Sequence, residues 1–511
     1  MHLIKNFLKK KIIYPNPIKI NLITAVDSKW GISKKNKIPW LIKEDMFFFQ
    51  DVTKKNYQVG KKNAIIMGKN TWKALPDNFR GLNDRINIVV SSKMSENQLI
   101  FDNTTNSDCY LVKNLKTGIS LCNELQVGKI FIGGGKNIYK EALNNLNIDE
   151  IYLTKINCDF DCDNIFPYSE LYKKLKKFKT LFDKDFEVNE IERNKKVNVK
   201  FLKLFRDANP MDWNCNEQEQ QYLGLLENII KNGIKKKGRN GVTYSIFGNQ
   251  LVFDLENGFP ILTTKKLFFR GVFEELLFFI KGDTNAKHLS DQGVKIWDPN
   301  TSRQFLDSVG LNHYTEGTLG PMYGYQWRFF NYPYKGPDYD YSGKGIDQLK
   351  YCIDLIKKDP NNRRILMTAF NPNQVNDGVL WPCHGISIIF NVENNKLSCM
   401  MTQRSSDQFL GSPFNICSYG LLVHMICEII NNDVTYIGNK LIPGKLIICL
   451  ADTHIYEEHY AQSIRQILRE PNKFPKLSFN RKVTELTNFK FEDLQLVNYQ
   501  CYPNIIAKMI A

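Results

Sequence analysis

The chain has no apolar run approaching the roughly 20 residues that a membrane-spanning helix needs, which argues against a helical membrane protein. Its 12 cysteines include no C-x-x-C pair and fall mainly in apolar runs, as Cys352, Cys427 and Cys449 do. Reduced core thiols are therefore expected, not a disulfide framework. The 7 histidines show no ligand spacing, so no metal site is expected. Residues 1–17 carry no acidic residue and no arginine, and read as an untargeted basic extension on a cytoplasmic protein. Basic residues exceed acidic ones, 69 to 53, for a net charge of +16. Such a surplus suits anionic small molecules. With no RNA- or DNA-binding motif, nucleic acid is not expected as the main partner.

What is present is 511 residues of ordinary hydrophobic content, enough for two or three domains. From Ile18 to Arg206, apolar strand-like runs alternate with helical patterns, which fits one open α/β sheet over 18–206. Residues 207–217 are polar and interrupted by Pro210, as a short junction would be. An α+β domain of sheet and helices is expected over 218–511.

The richest chemistry lies between Leu380 and Tyr419. Cys383 sits between Pro382 and His384, and two apolar runs follow, joined at Asn394–Asn395. The second run ends in Gln403, Arg404, Ser405, Ser406 and Asp407, with Asn415 beyond it. Neighbouring strands would carry a thiol and a guanidinium, and a nearby cation favours the thiolate. With anion-binding and amide-reading groups beside it, this reads as a covalent catalyst for a phosphorylated, amide-bearing ring. Elsewhere Asp45, Phe48 and Phe49 share one face of a helical pattern from Leu41 to Thr53. A lone carboxylate among aromatics needs a partner, whether a structural one or a ligand. Glu275 is similarly placed in the apolar helix Gly271–Gly282. Gly68, Lys69, Asn70 and Thr71 follow a strand and open a helix, exposing N–H groups to an anion. Gly133, Gly134 and Gly135 do the same less specifically.

The motifs PCH, QRS-D-FLG and PFN-I-SY resemble thymidylate synthase. The pattern A-x-D-x-x-x-G-I…I-P-W-x-x-x-x-D-M-x-x-F, from Ala25 to Phe49, resembles dihydrofolate reductase. The whole is similar to the fused dihydrofolate reductase–thymidylate synthases of protists. That resemblance implies two activities: dUMP methylation with 5,10-methylenetetrahydrofolate, and NADPH-dependent reduction of dihydrofolate. It implies a pteridine site of Ala25, Asp45, Phe49 and Thr154, with Arg85 on the folate α-carboxylate. NADPH would meet Ala25, Gly31, Ile32 and Gly68–Thr71. Its 2′-phosphate would meet Ser91, Ser92 and Lys93, and its pyrophosphate Gly133–Gly135 and Lys136. The spacing to Tyr139 leaves each glycine of that turn open by one position. In the second domain Cys383 would be the nucleophile, aided by Tyr323, Glu275, Arg404 and Asp407, with Trp297 at the folate. Arg239, His384, Gln403, Ser405, Asn415, His454 and Tyr456 would hold dUMP. Arg363 and Arg364 would reach across a homodimer to the partner's phosphate. Asn240 is a departure, because family members usually read R-T-G there.

Overall fold

A computed structural model describes residues 18–55, 60–76, 80–103, 105, 107–206 and 216–510. The extension 1–17 and most of the expected junction lie outside them. The chain divides into two compact units, Met1–Asp212 and Trp213–Ala511.

The first unit is built on eight strands: β1 (Ile20–Val26), β2 (Asn63–Gly68), β3 (Arg85–Val90), β4 (Cys109–Val112), β5 (Ile130–Gly134), β6 (Glu150–Ile156), β7 (Phe178–Glu190) and β8 (Lys195–Arg206). Their order is β4-β3-β2-β5-β1-β6-β8-β7. The first six run parallel, and β8 is antiparallel to both β6 and β7. Parallel strands covered on both faces read as continuous apolar runs, and Ala64–Met67 is buried throughout. Helices α1 (Lys43–Lys54), α2 (Lys69–Ala74) and α3 (Lys136–Asn145) matter for the site. Glu44 and Asp45 lie in the first turn of α1 and Lys54 in its last, an order that suits the helix dipole. Gly68, Ser91 and Gly134 all fall at carboxyl ends of parallel strands, where open α/β sheets bind ligands.

In the second unit α4 (Glu217–Asn232) starts at once, its N-cap Asn216 side chain accepting from Glu219 N–H. Residues 216 and 217 thus belong to this helix and not to a linker. The strands of its main sheet are β9 (Ile234–Gly238), β10 (Gly241–Asp254), β11 (Leu366–Met367), β12 (Ser387–Glu393), β13 (Lys396–Asp407) and β14 (Ile442–Tyr456). They form one sheet, β9-β10-β14-β13-β12-β11. Asn394 and Asn395 take φ +50° and +62°, the left-handed pair of a two-residue hairpin between β12 and β13. Helix α5 (Phe269–Lys281) supplies Glu275, and the 22-residue α6 (Gly411–Asn432) packs on β13 and β14.

Helix α6 passes a membrane span's length and composition, with Ser412, Ser418 and His424 punctuating its pattern, but most of it is buried inside the unit, as a core helix is. Two expectations change here. The expected strand Ile365–Phe370 shrinks to Leu366–Met367, leaving Arg363 and Arg364 in the turn before it. Cys383 is not on a strand. It lies in the loop ahead of β12, tied to β13 by Arg404 N–H donating to Cys383 O at 2.9 Å.

Candidate active sites

In the first unit, register places Ala25 of β1 opposite Thr154 of β6. Asp45 reaches the same spot from α1. Burial pushes its carboxyl up to about 6, while the nearby polar groups of Thr154 and then Trp40 pull the other way; the Trp40 Nε1 itself is buried without a hydrogen-bond partner among the described residues. Phe48 is buried and Phe49 half-buried, so the aromatic side of α1 is as expected. Glu44 is buried too, and desolvation raises its pKa. The sequence carried no signal for that. Arg85 is buried, with Nη1 donating to Thr53 Oγ1 at 2.9 Å and Nε to Asn83 O at 2.9 Å; burial brings its pKa down to about 10. The neighbouring Asp84 carboxylate acts on it only in part, since Asp84 Oδ2 pairs with Lys54 Nζ at 2.8 Å.

The glycine turns converge. A Cβ on Gly135 would stand 3.1 Å from Thr71 Oγ1, and one on Gly134 (φ +119°) 3.3 Å from Thr71 Oγ1 and 3.2 Å from Tyr139 Oη. The Gly134–Gly135 peptide is cis. Gly133 belongs to β5 with its open side 3.0 Å from Ile65 Cγ2, so Gly134 and Gly135 are the pair that faces Gly68–Thr71. Lys136 opens α3 directly behind them. Two strand-to-helix turns whose side chains are pared back to glycine form a cradle that a Cβ would fill, and its exposed amides suit a phosphate-bearing cofactor. Ser91 Oγ accepts from Lys93 N–H and Met94 N–H, holding the exposed Ser92 and Lys93 at the end of β3. Gly31 admits no side chain, because its Cβ would fall 2.2 Å from Cys162 Cβ, and Gly31 N–H donates to Asp27 Oδ1 at 2.7 Å. Ile32 follows it in the same short strand.

In the second unit Arg404 wraps the cysteine loop. Its Nε donates to Pro382 O at 2.8 Å, and its Nη2 to Trp381 O at 2.7 Å and to Cys383 Sγ at 3.7 Å. Arg404 and Arg239 both draw the Cys383 pKa down, but burial outweighs them and the thiol sits above its usual value. The expected cations are there; the expected net depression is not, because desolvation of a thiolate costs more than two partly solvated guanidiniums return. Cys383 N–H donates to Tyr323 Oη at 2.9 Å. Tyr323 holds φ +44°, ψ −106°, a strained backbone kept by packing on Phe279 (5.0 Å) and His384 (4.5 Å). Burial holds its hydroxyl protonated, well above the ordinary range. Burial also drops His384 to about 3, so it is a neutral ring, hydrogen-bonded through Nδ1 to Tyr419 Oη. Glu275 accepts from Trp297 Nε1 at 2.9 Å, and burial raises it to about 7.

Gln403 is buried, its Nε2 donating to Ser405 O and its Oε1 without a partner among the described residues. The parallel β13–β14 register sets Asp407 beside His454, whose Nδ1 is 2.8 Å from Asp452 Oδ1. Asp407 Oδ1 accepts from Phe409 N–H and Leu410 N–H. Asn415 lies half-buried in the first turns of α6. Arg363 and Arg364 are exposed and form no ion pair among the described residues.

Residues 220–511 match the Thymidylate synthase family and residues 19–206 the Dihydrofolate reductase family. The chain is 37% identical to a bifunctional dihydrofolate reductase-thymidylate synthase of Glycine max, over 96% of this chain and 94% of that one. It is 36% identical to one from Leishmania amazonensis (98% and 97%) and 37% identical to one from Paramecium tetraurelia (96% and 98%). The chain belongs to the bifunctional dihydrofolate reductase–thymidylate synthase family. It reduces dihydrofolate and methylates dUMP to dTMP. Plants share the fused arrangement with the protists to which the motifs pointed. Reductases of this family use NADPH in general, and the synthases methylenetetrahydrofolate.

Reading the sequence missed Lys265 of the synthase domain. Burial brings it down to about 7, against the pull of Asp407, and its ammonium lies 3.8 Å over the Phe409 ring. A lysine beside Lys266 reads as a surface charge until the fold encloses it.

Proposed function

We propose that Cys383 Sγ adds to carbon 6 of the uracil of dUMP, which makes carbon 5 nucleophilic toward the methylene group of 5,10-methylenetetrahydrofolate. Loss of the carbon 5 proton, elimination of tetrahydrofolate and hydride transfer from it give dTMP and dihydrofolate, and the sulfur is released. The observation that carries this is the Arg404 Nη2 to Cys383 Sγ approach at 3.7 Å, with Arg239 close enough to favour the same thiolate. Glu275, raised to about 7, takes and returns protons at the pyrimidine, with Trp297 fixing it beside the folate. Tyr323, protonated and anchored on Cys383 N–H, offers its own proton to the reacting ring. Asn415 reads the uracil amide edge, since an amide both donates and accepts. Arg239, Arg404 and Ser405 take the 5′-phosphate, and His454 and Tyr456 the 3′-hydroxyl. His384, Gln403 and Asp407 order the groups between them. Incubation with 5-fluoro-dUMP and methylenetetrahydrofolate, followed by mass spectrometry of the Cys383 peptide, tests the bond. Tight binding without a sulfur–carbon adduct refutes it.

In the reductase domain Asp45 binds the amidine-like edge of the pteridine and assists its protonation, with Thr154, Ala25 and Phe49 around the ring and Arg85 on the tail carboxylate. NADPH supplies the hydride when bound. The cradle of Gly68–Thr71, Gly134, Gly135 and Lys136 would hold its pyrophosphate, Ser91–Lys93 its 2′-phosphate, and Ala25, Gly31 and Ile32 its nicotinamide end. The supporting observation is the meeting of the two glycine turns across Thr71.

The synthase domain is read as a homodimer. One apolar row crosses its sheet through paired residues, Val252, Ile447, Met400, Ile389 and Leu366, on the face away from the core. Val252 and Leu366 are 37% and 46% exposed, whereas the next row, Leu251, Ile448, Met401, Ile388 and Met367, is buried. An uncovered apolar face of this extent suits a second copy. Arg363 and Arg364, exposed in their turn, would then serve the partner's phosphate. A reducing, cytoplasmic setting suits the free cysteines, and a fluorescent fusion reports it.

A further inference from the structure

Tyr323 holds a backbone, φ +44° and ψ −106°, that a tyrosine left to itself does not keep. Packing on Phe279 and His384 fixes its ring. The chain on either side is held by three buried amides, Gln326, Asn371 and Gln374. Gln326 lies in the short helix Gly324–Phe329, directly after Tyr323. Its Nε2 donates one hydrogen to Pro321 O at 2.7 Å, so the side chain clips the turn across Tyr323. It donates the other to Gln374 Oε1 at 2.9 Å. Asn371 Nδ2 closes the ring, donating to Gln374 Oε1 at 3.0 Å and to Gln326 Oε1 at 3.4 Å. Gln374 Nε2 donates outward to Tyr332 O.

Asn371 and Gln374 begin the segment that leads to the nucleophile. Further along it, Val379 N–H donates to Leu319 O at 3.0 Å, and a Cβ on Gly320 (φ +78°) would stand 2.2 Å from Asp377 O. At its end Cys383 N–H donates to Tyr323 Oη at 2.9 Å. Segments 319–326 and 371–383 are therefore laced at three levels: the amide ring, one backbone bond, and the tyrosine hydroxyl on the cysteine amide. A primary amide both donates and accepts, and a buried ring whose members satisfy one another specifies a single arrangement. Apolar side chains of the same size would fill the space. They would leave the turn free to relax toward an ordinary tyrosine backbone, carrying the hydroxyl away from Cys383 N–H.

We propose that Gln326, Asn371 and Gln374 are positioning residues of the synthase site: their ring sets the strained turn of Tyr323, and through it the register of the tyrosine hydroxyl against Cys383. They act through Tyr323 and not on the nucleotide. The inference rests on the assignment of Tyr323 and Cys383 to the chemistry of dUMP.

The test is a double-mutant cycle in the full-length enzyme. Gln326→Met keeps the volume and removes both donated bonds. It is expected to lower kcat for dTMP formation about thirtyfold with KM for dUMP within about threefold, as a displaced catalytic group beside undisturbed binding groups behaves. In a Tyr323→Phe background the same substitution is expected to cost less than about threefold in kcat, while lowering the melting temperature as much as before. Asn371→Ala leaves Gln326 on Pro321 and is expected to repeat the pattern at smaller size; it carries the test if Gln326→Met does not fold. An equal kcat loss in both backgrounds overturns the proposal, because a merely structural ring would loosen the site with or without the hydroxyl. So does an unchanged kcat in either folded single variant. If Tyr323→Phe alone leaves kcat unchanged, the assignment of Tyr323 to the chemistry fails, and this inference with it.

Discussion

Asp45 carries a stability cost set by its burial. Its folded pKa of about 6 lies above the 3.8 of a free aspartate, so the folded reductase domain binds that proton more tightly than the unfolded chain. Below pH 3.8 the group costs nothing; the penalty grows as pH rises toward 6 and is complete above it. Asp45→Asn is therefore expected to stabilise the reductase domain by about 3 kcal/mol at pH 7 and by little at pH 3.5, measured by denaturant unfolding. The same variant is expected to lose dihydrofolate reduction at neutral pH and recover part of it in acid, where substrate arrives protonated. A variant with no acid recovery would show that Asp45 does not assist protonation. At Cys383, Arg404 opposes burial and does not simply activate the thiol. Arg404→Gln is expected to slow iodoacetamide alkylation of Cys383 about tenfold at pH 7.5, as a thiol further raised by roughly one pKa unit would behave. Cys383→Ser is expected to abolish dTMP formation and leave dihydrofolate reduction intact; joint loss of both activities would contradict separate sites.

Among elements, the glycine turn behind β5 shows how backbone shape and ligand chemistry coincide. Gly134 combines φ +119° with a neighbour at 3.2 Å, whereas Gly135 has φ −87° and meets only Thr71 Oγ1 at 3.1 Å. Gly134→Ala is expected to lower the melting temperature and activity together, because an alanine there is strained wherever it points. Gly135→Ala is expected to keep the fold and raise KM for NADPH several-fold, and equal damage from both would mean the turn serves structure alone. Much of these elements was legible in the sequence. The buried strand Ala64–Met67 and helix Glu217–Asn232 follow from apolar runs and caps, which are local. The loop position of Cys383 was not, because the apolar residues after it suggest a strand, and only the backbone shows Gly385 at φ +68° breaking it before Ser387. Helix α6 was obscured because Ser412 and His424 interrupt its apolar pattern, and only the fold shows both enclosed inside the unit.

For the molecule as a whole, the uncovered row from Val252 to Leu366 predicts association. Met400→Lys is expected to shift the enzyme toward monomer in sedimentation and to lose dTMP synthesis with dihydrofolate reduction preserved. Co-expression of Cys383→Ser with Arg363→Ala/Arg364→Ala is expected to restore about a quarter of wild-type synthase activity, because random pairing leaves one intact site in each mixed dimer. No recovery would place both arginines in their own subunit's site or outside any site. Residue identity and order by themselves determined the two domains, the family and its two activities, since catalysis demands particular side chains at particular spacings. Tertiary structure alone decided the balance at Cys383, the pairing of Glu275 with Trp297 and the enclosure of Lys265. Each of these depends on distance and desolvation between residues remote in the chain, and neither quantity is written in one dimension.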